Sequence, residues 1–313
     1  LVEKPVMASH LNGWLANIKH HFVVAAIPEA EESFSYQATY DEGKSLEKIS
    51  AVGETTKTVF PGGTQKEEMS FYIGPKLQSK LKELRPGLER SVDYGALSFL
   101  SKPLFWLLDK IHSFVGNWGL SIILVTFCIK LVFYRLAETS GKSMARMRLL
   151  APRIKAIQER FKDDKQAAGQ ATMELYKKEK VNPLAGCWPM LVQIPFFIAF
   201  YWVLLESVEI RQAPFFLWIQ DLSSRDPYFI LPLLMGAGMF FQQKLNPPPP
   251  DPMQAKIMNF LPVMFTGMFA FFPSGLVLYW LTNSLLSIAQ QWRLNKKFGT
   301  KTPMGSGSGG DGG

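Results

Sequence analysis

The stretch WGLSIILVTFCIKLVFYRL, Trp118 to Leu136, decides how this chain is read: it runs 19 residues and carries no charge before Lys130. As a helix it reaches about 28 Å, the scale of a hydrocarbon core about 30 Å thick. Four comparable runs follow, Leu184 to Leu205, Tyr228 to Leu245, Ile257 to Phe272 and Leu276 to Trp292, so that the five measure 16 to 22 residues each. The apolar fraction of 47%, with 24 Phe and 8 Trp in 313 residues, is concentrated in the last two thirds. Two soluble domains of the same total length would spread it more evenly. Buried helices of a large soluble protein are the alternative, and five consecutive near-uncharged helices weigh against them.

Charge gives the orientation, because short cytoplasmic loops collect Lys and Arg. From Arg135 to the start of the second run lie 12 basic and 6 acidic residues. The next connection has Glu206, Glu209, Asp221 and Asp226 against Arg211 and Arg225, and the segment after Trp292 is basic again with Arg293, Lys296, Lys297 and Lys301. Five spans then place the residues before Trp118 outside and the C-terminal end in the cytoplasm. That outer placement requires an export signal or an anchor helix upstream, so the sequence is expected to be a fragment of a longer chain.

Residues 1 to about 90 read as part of a strand-rich domain with partner strands upstream. His21 to Ile27, Phe34 to Tyr40, Thr55 to Phe60 and Met69 to Ile73 are β-prone, and Pro61-Gly62-Gly63 and Gly74-Pro75 break them. Gln78 to Leu84 reads as helix. A second helix, Leu97 to Val115, aligns Leu100, Leu104, Leu107, Leu108, Ile111 and Val115 in one stripe. The stripe suits either a helix lying on the membrane surface or one packed against the outer domain.

In the basic connection, Met144, Met147, Leu150, Ile154, Ile157 and Phe161 recur at helical spacing. Lys162-Asp163-Asp164 makes a turn whose aspartates can cap a second helix running to Val181. An antiparallel helical hairpin is predicted. Its cations Arg146, Arg148, Arg153, Lys155 and Arg160 are candidate contacts for ribosomal RNA, anionic lipid or acidic proteins; the other reading is that they only set topology and solvation.

Lys130 stands out within the spans, since a charge in mid-bilayer costs about 2.5 to 3.5 kcal/mol on insertion scales. No acidic residue lies inside a span to neutralise it. Thr126 falls one turn earlier on the same face, and Gln193, Gln242, Gln243, Thr282, Asn283 and Ser284 add polarity to other spans. A polar, positively charged cavity in the bundle is one reading; snorkelling of Lys130 to the headgroups is the other. Side-chain catalysis is not expected. The four histidines lie outside the spans, Cys128 and Cys187 sit in apolar runs, and no phosphate-binding glycine loop, metal set or cofactor motif occurs. A transporter would call for an internal repeat with charged pairs, and the sequence has none.

Several stretches resemble, in order and spacing, the bacterial insertases of the YidC/Oxa/Alb family. They are Lys102-Pro103-Leu104-Phe105-Trp106-Leu107-Leu108, Val181-Asn182-Pro183-Leu184-Ala185-Gly186-Cys187, Arg211-Gln212-Ala213-Pro214-Phe215, Asp226-Pro227-Tyr228, Asp251-Pro252-Met253-Gln254 and Phe272-Pro273-Ser274-Gly275-Leu276-Val277-Leu278-Tyr279-Trp280. The likeness covers about residues 60 to 298. It implies a multi-pass protein of a Gram-negative inner membrane, whose first transmembrane helix and most of whose periplasmic domain lie outside this sequence. The fold class expected is an all-α polytopic core of five transmembrane helices with a cytoplasmic helical hairpin, plus part of a β-rich periplasmic domain. The boundaries expected are a periplasmic β-sandwich-like part at 1–96, an amphipathic interfacial helix at 97–115, a core at 116–298 with the hairpin at 142–182, and a flexible Gly-rich tail at 299–313.

The family's mechanism is a hydrophilic groove open to cytoplasm and lipid, in which a basic residue attracts the translocating tail of a substrate. Lys130 matches that position, where arginine is usual; lysine keeps the charge and loses the planar fork. Thr126, Gln193 and Tyr279 match groove or substrate-contact positions, Asn283 joins them as a polar groove residue, and Trp280 stands for a usual tyrosine. A proline that commonly follows Tyr134 is replaced by Arg135, which leads to the expectation that the helix continues further toward the hairpin. The implied partners are nascent membrane proteins, the Sec translocon, the ribosome through the basic segments, and the lipid bilayer, with no DNA, metal or cofactor.

Overall fold

The computed structural model describes residues 6–11, 13–28, 33–41, 46–54, 56–66, 68–162, 164–179, 181, 188–245 and 252–298. The chain divides into two compact units, one of Leu1–Gly95 with Leu205–Glu209, the other of Ala96–Leu204 with Ile210–Gly313. The expected tail at 299–313 lies outside the described residues, as do the side chain of Arg148, Asp163 and the segment around Cys187.

Among the described residues the first unit holds six strands, β1 (Val6–Leu11), β2 (Leu15–Ile18), β3 (Phe22–Pro28), β4 (Ser33–Asp41), β5 (Leu46–Gly53) and β6 (Met69–Pro75). They form two three-stranded antiparallel sheets, ordered β1-β4-β5 and β2-β3-β6. Alternation along β3 sends Val23, Ala25 and Ile27 inward, where they meet Leu81 of α1 (Gln78–Leu84) and Leu88 of the following 3₁₀ turn. Of the expected strand Thr55 to Phe60, residues 56–60 form no strand, and Thr55 lies outside the described residues. The partner of β4 is Leu46–Gly53, while Val59 and Phe60 stay exposed and have no sheet face to bury. Beneath the sheets, the buried Lys76 ammonium lies 3.8 Å from Glu206, and the Gln78 N–H donates to Glu209 at 2.9 Å.

The second unit is helical: α2 (Ser98–Val115), α3 (Trp118–Val132), α4 (Tyr134–Arg160), α5 (Lys165–Lys178), α6 (Trp188–Glu206), α7 (Ile230–Lys244), α8 (Pro252–Phe269) and α9 (Ser274–Phe298). α9 packs on α7, α3 and α4, α7 packs on α8, and α2 packs on α3. α2 turns Ser101, Leu104, Phe105 and Leu108 inward, and the Ser101 hydroxyl donates to the Ala199 carbonyl at 3.2 Å. Of the stripe read along α2, Leu104 and Leu108 are buried and Leu100, Leu107, Ile111 and Val115 half-buried, while Phe99, Trp106 and Phe114 are left on the outside. Glycines allow close approach elsewhere: a Cβ on Gly236 would fall 1.9 Å from the Thr266 hydroxyl of α8, and one on Gly141 would fall 2.6 Å from Leu294 Cδ1 of α9.

Asp164 caps α5 by accepting from the N–H groups of Gln166 and Ala167. Leu150 and Ile154 of α4 bury against Val181, with Met147, Leu175 and Tyr176 around them.

The run Trp118 to Leu136 is broken. α3 ends at Val132, Phe133 leaves helical geometry at φ −90° and ψ 10°, and α4 sets off at 64° to α3. The expectation that the helix runs on without its proline is therefore corrected; the Phe133 ring, held edge-on to Phe196 of α6 at 5.1 Å, sits at the bend. Among the described residues no single helix is long and apolar enough to cross a membrane, whereas the bent pair Trp118–Val132 and Tyr134–Met147 passes that test together.

Candidate functional site: a polar cavity at the α3 bend

Lys130 occupies the last turn of α3, beside the bend, and not the middle of a long helix as its sequence context suggested. There the carbonyl end of the helix dipole favours a cation by roughly 0.3 to 1 kcal/mol, one physical reason the charge is tolerated. A second is direct. The Nζ of Lys130 donates to Ser287 Oγ of α9 at 2.7 Å, and that hydroxyl donates in turn to the Asn283 carbonyl at 2.7 Å.

Beside this pair lies a small cavity, partly open to the outside. Ile129, Lys130, Phe133, Leu136 and Ala137 form the α3–α4 wall, Val192, Gln193 and Phe196 the α6 wall, and Asn283 and Gln290 the α9 wall. Three residues predicted from sequence, Lys130, Gln193 and Asn283, are therefore gathered at one place. The other three are not on its lining. Thr126 is buried and its hydroxyl donates to the Ile122 carbonyl of its own helix at 2.7 Å. Tyr279 is buried and stacked on Phe200 at 4.7 Å, with its hydroxyl hydrogen-bonded to the Gln193 side chain. Trp280 meets Phe197 edge-on at 5.0 Å and packs near Phe265 and Phe269.

Ser287 and Gln290 are additional polar residues of this site. The Nε2 of Gln290 is buried and has no hydrogen-bond partner among the described residues. Their signal in the sequence is Asn283, Ser287 and Gln290 at i, i+4 and i+7, a polar stripe along one face of α9. Of the predicted α4 cations, Arg146, Arg153, Lys155 and Arg160 are exposed; Arg153 pairs with Glu179 at 2.7 Å and Arg160 lies 5.7 Å from the Phe161 ring. Among the described residues no group of His, Cys, Asp and Glu is placed to hold a metal.

The set of side chains offers one ammonium, two carboxamides that can both donate and accept, and an unpaired amide donor, all walled by apolar groups. It can receive a short polar segment beside apolar chain.

The model of the family described as 60Kd inner membrane protein matches residues 110–301, and that described as YidC periplasmic domain matches residues 3–107. This chain belongs to the YidC family of 60Kd inner membrane proteins. The membrane protein insertases YidC of Francisella tularensis subsp. novicida (strain U112) and of subsp. tularensis (strain SCHU S4 / Schu 4) are each 55% identical to it over 293 residues, which is 94% of this chain and 52% of theirs. The chain thus spans about half the length of these relatives. A solved structure of an active YidC insertase with its first transmembrane domain resolved has the same fold, with a TM-score of 0.56 at 20% identity, covering 92% of this chain and 79% of that one. In the YidC family, then, this chain combines a strand-rich unit matching the periplasmic domain with a helical unit matching the membrane protein.

Proposed function

We propose that this chain forms part of a membrane protein insertase that accepts a polar segment of a nascent membrane protein in the cavity beside Lys130 and passes the adjoining apolar segment to lipid. The observation that carries the reading is the meeting of Lys130, Gln193, Asn283 and Gln290 at one partly open cavity between helices. Its support from the comparisons is that the relatives above are named membrane protein insertases. The work is physical: polar groups replace hydrocarbon around the translocating segment, and the apolar segment gains roughly 25 cal/mol per Å² of surface removed from water. No covalent step is involved.

In this reading α3, α6, α7, α8 and α9 span the inner membrane, with the strand-rich unit outside and α4, α5 and the C-terminal end in the cytoplasm. The 15-residue α3 and α7 reach only about 22 Å, which suits a locally thinned bilayer. α2 lies at the outer interface through Phe99, Trp106 and Phe114, flanked by exposed Lys102 and Lys110. The exposed cations of α4 are contacts for the ribosome or anionic lipid, and the Sec translocon is a further partner.

Insertion of a short, acidic-tailed single-span substrate into liposomes containing the protein tests the reading with Lys130→Ala, Lys130→Arg and Lys130→Glu. Activity kept by Arg and lost by Ala and Glu supports the charged cavity. Equal activity in all four removes Lys130 from the mechanism.

A further inference from the structure

The helical unit ends in a layer of two loops. Residues 211–229 lead to α7, residues 270–273 join α8 to α9, and the two are tied by an Arg225–Pro273 bridge, by Ser274 N–H donating to the Ser224 carbonyl at 2.7 Å, and by Gly275 N–H donating to the Leu222 carbonyl at 2.9 Å. Inside this layer Ile219 and Leu222 are buried, as soluble loops bury their apolar residues. Outside it the pattern reverses: Leu217 is 80% exposed, Phe271 74%, Tyr228 66% and Phe216 53%.

The exposure is imposed by the backbone. Leu217 has φ +55° and Phe229 φ +57°, left-handed values that bulky residues rarely adopt. The turn around Leu217 is closed on itself: Phe215 N–H donates to the Ile219 carbonyl at 2.9 Å, Ile219 N–H to the Phe216 carbonyl at 3.1 Å, and Gln220 Nε2 to the Leu217 carbonyl at 2.9 Å. Trp218 is pinned from below by Nε1 donating to Asp226 at 3.0 Å. A turn that met only water would gain by placing Gly at position 217 and folding Phe216 in. This one holds both apolar side chains outward.

Two features select a lipid surface as what they meet. Arg211 and Arg225 are exposed in the same layer and complement headgroup phosphates. The apolar surface also continues along the flanks of the bundle through Leu233 and Leu234 of α7 and Met268 of α8.

We propose that Phe216 and Leu217, with Tyr228 and Phe271 beside them, form a preset wedge that seats this end of the helical unit in the headgroup–acyl boundary of the outer leaflet. The inference rests on the topology given above, in which this end faces outward.

The test uses the chain with Cys128→Ser and Cys187→Ser, carrying Leu217→Cys or, separately, Phe216→Cys, labelled with an environment-sensitive fluorophore in phosphatidylcholine–phosphatidylglycerol liposomes. Lipids with a nitroxide near the headgroup are expected to quench both labels at least twofold, and aqueous iodide to quench them little. Quenching by iodide alone, or shielding from both agents as a protein partner or second copy would give, overturns the wedge. Gln220→Cys and Lys155→Cys, modified with a membrane-impermeant maleimide, report the two faces. If both react from the same side the topology itself fails; if they react from opposite sides and the labels are aqueous, only the wedge fails.

Discussion

Lys130 and Ser287, 157 positions apart in the chain, are joined by a 2.7 Å hydrogen bond from ammonium to hydroxyl that links the bent end of α3 to the middle of α9. The bond holds the ammonium at the cavity wall and uses one of its three N–H donors.

Ser287→Ala removes that partner and should cost about 1.5 kcal/mol of stability, the size of a hydrogen bond to a charged group. In a Lys130→Ala background the same change should cost almost nothing, because the interaction is already gone. Denaturation of the four proteins in detergent measures the coupling. Additive losses would mean that the two residues act independently.

The approach of α7 to α8 depends on Gly236, where a methyl group would fall 1.9 Å from the Thr266 hydroxyl. Thr266 cannot swing away cheaply: it is branched at Cβ and its hydroxyl is bonded to the Pro262 carbonyl at 2.7 Å. Gly236→Ala is expected to destabilise by about 1 to 3 kcal/mol, as overpacking does. Adding Thr266→Ala should recover most of the loss in thermal denaturation; a double variant no better than the single one would place the clash elsewhere.

α4 and α5 are held by apolar contact more than by charge. Ile154→Ala opens the small cluster with Leu150 and Val181 and should cost about 2 kcal/mol or more. Glu179→Ala removes an exposed ion pair with Arg153 and should cost below about 1 kcal/mol. Hydrogen exchange across residues 147–178 ranks the two, and the reverse order would refute the assignment.

Asp221 knots the loop that leads to α7, accepting at one oxygen from Gln212 N–H and from Ser223 N–H and Oγ, and at the other from Ser224 Oγ. Burial pushes its carboxyl up, but the bonds from Ser224, Ser223 and Gln212 outweigh that and hold it below its usual 3.8. With the folded value depressed, the carboxylate contributes stability above its unfolded pKa, and that contribution disappears as pH falls through the folded value. Amides of residues 211–224 should therefore lose protection from hydrogen exchange below about pH 4, and Asp221→Asn should flatten this dependence. Unchanged protection in acid would show that the knot is held by other contacts.

Helix positions were legible because each is written within one segment. Leu97 to Val115 and Gln78 to Leu84 read as helices from their own spacing, and they form at Ser98–Val115 and Gln78–Leu84. Strand pairing was harder to read. β1, β2 and β5 have no counterpart among the β-prone runs, and Leu46–Gly53 forms a strand because β4 offers it a register over eight pairs. The cavity was half legible. Lys130, Gln193 and Asn283 stand out as polar residues in apolar runs, whereas Ser287 and Gln290 become significant only once α9 is laid against α3.

By itself the sequence determined the apolar runs, the alternation of charge between their loops and the family likeness, since hydropathy and charge are sums over neighbouring residues. Tertiary structure alone decided that α3 bends by 64° at Phe133, that α2 buries Leu104 and Leu108 while exposing Trp106, and that Lys130 finds Ser287. Each depends on contacts between residues far apart in the chain, where close packing selects one arrangement among many that local spacing permits equally.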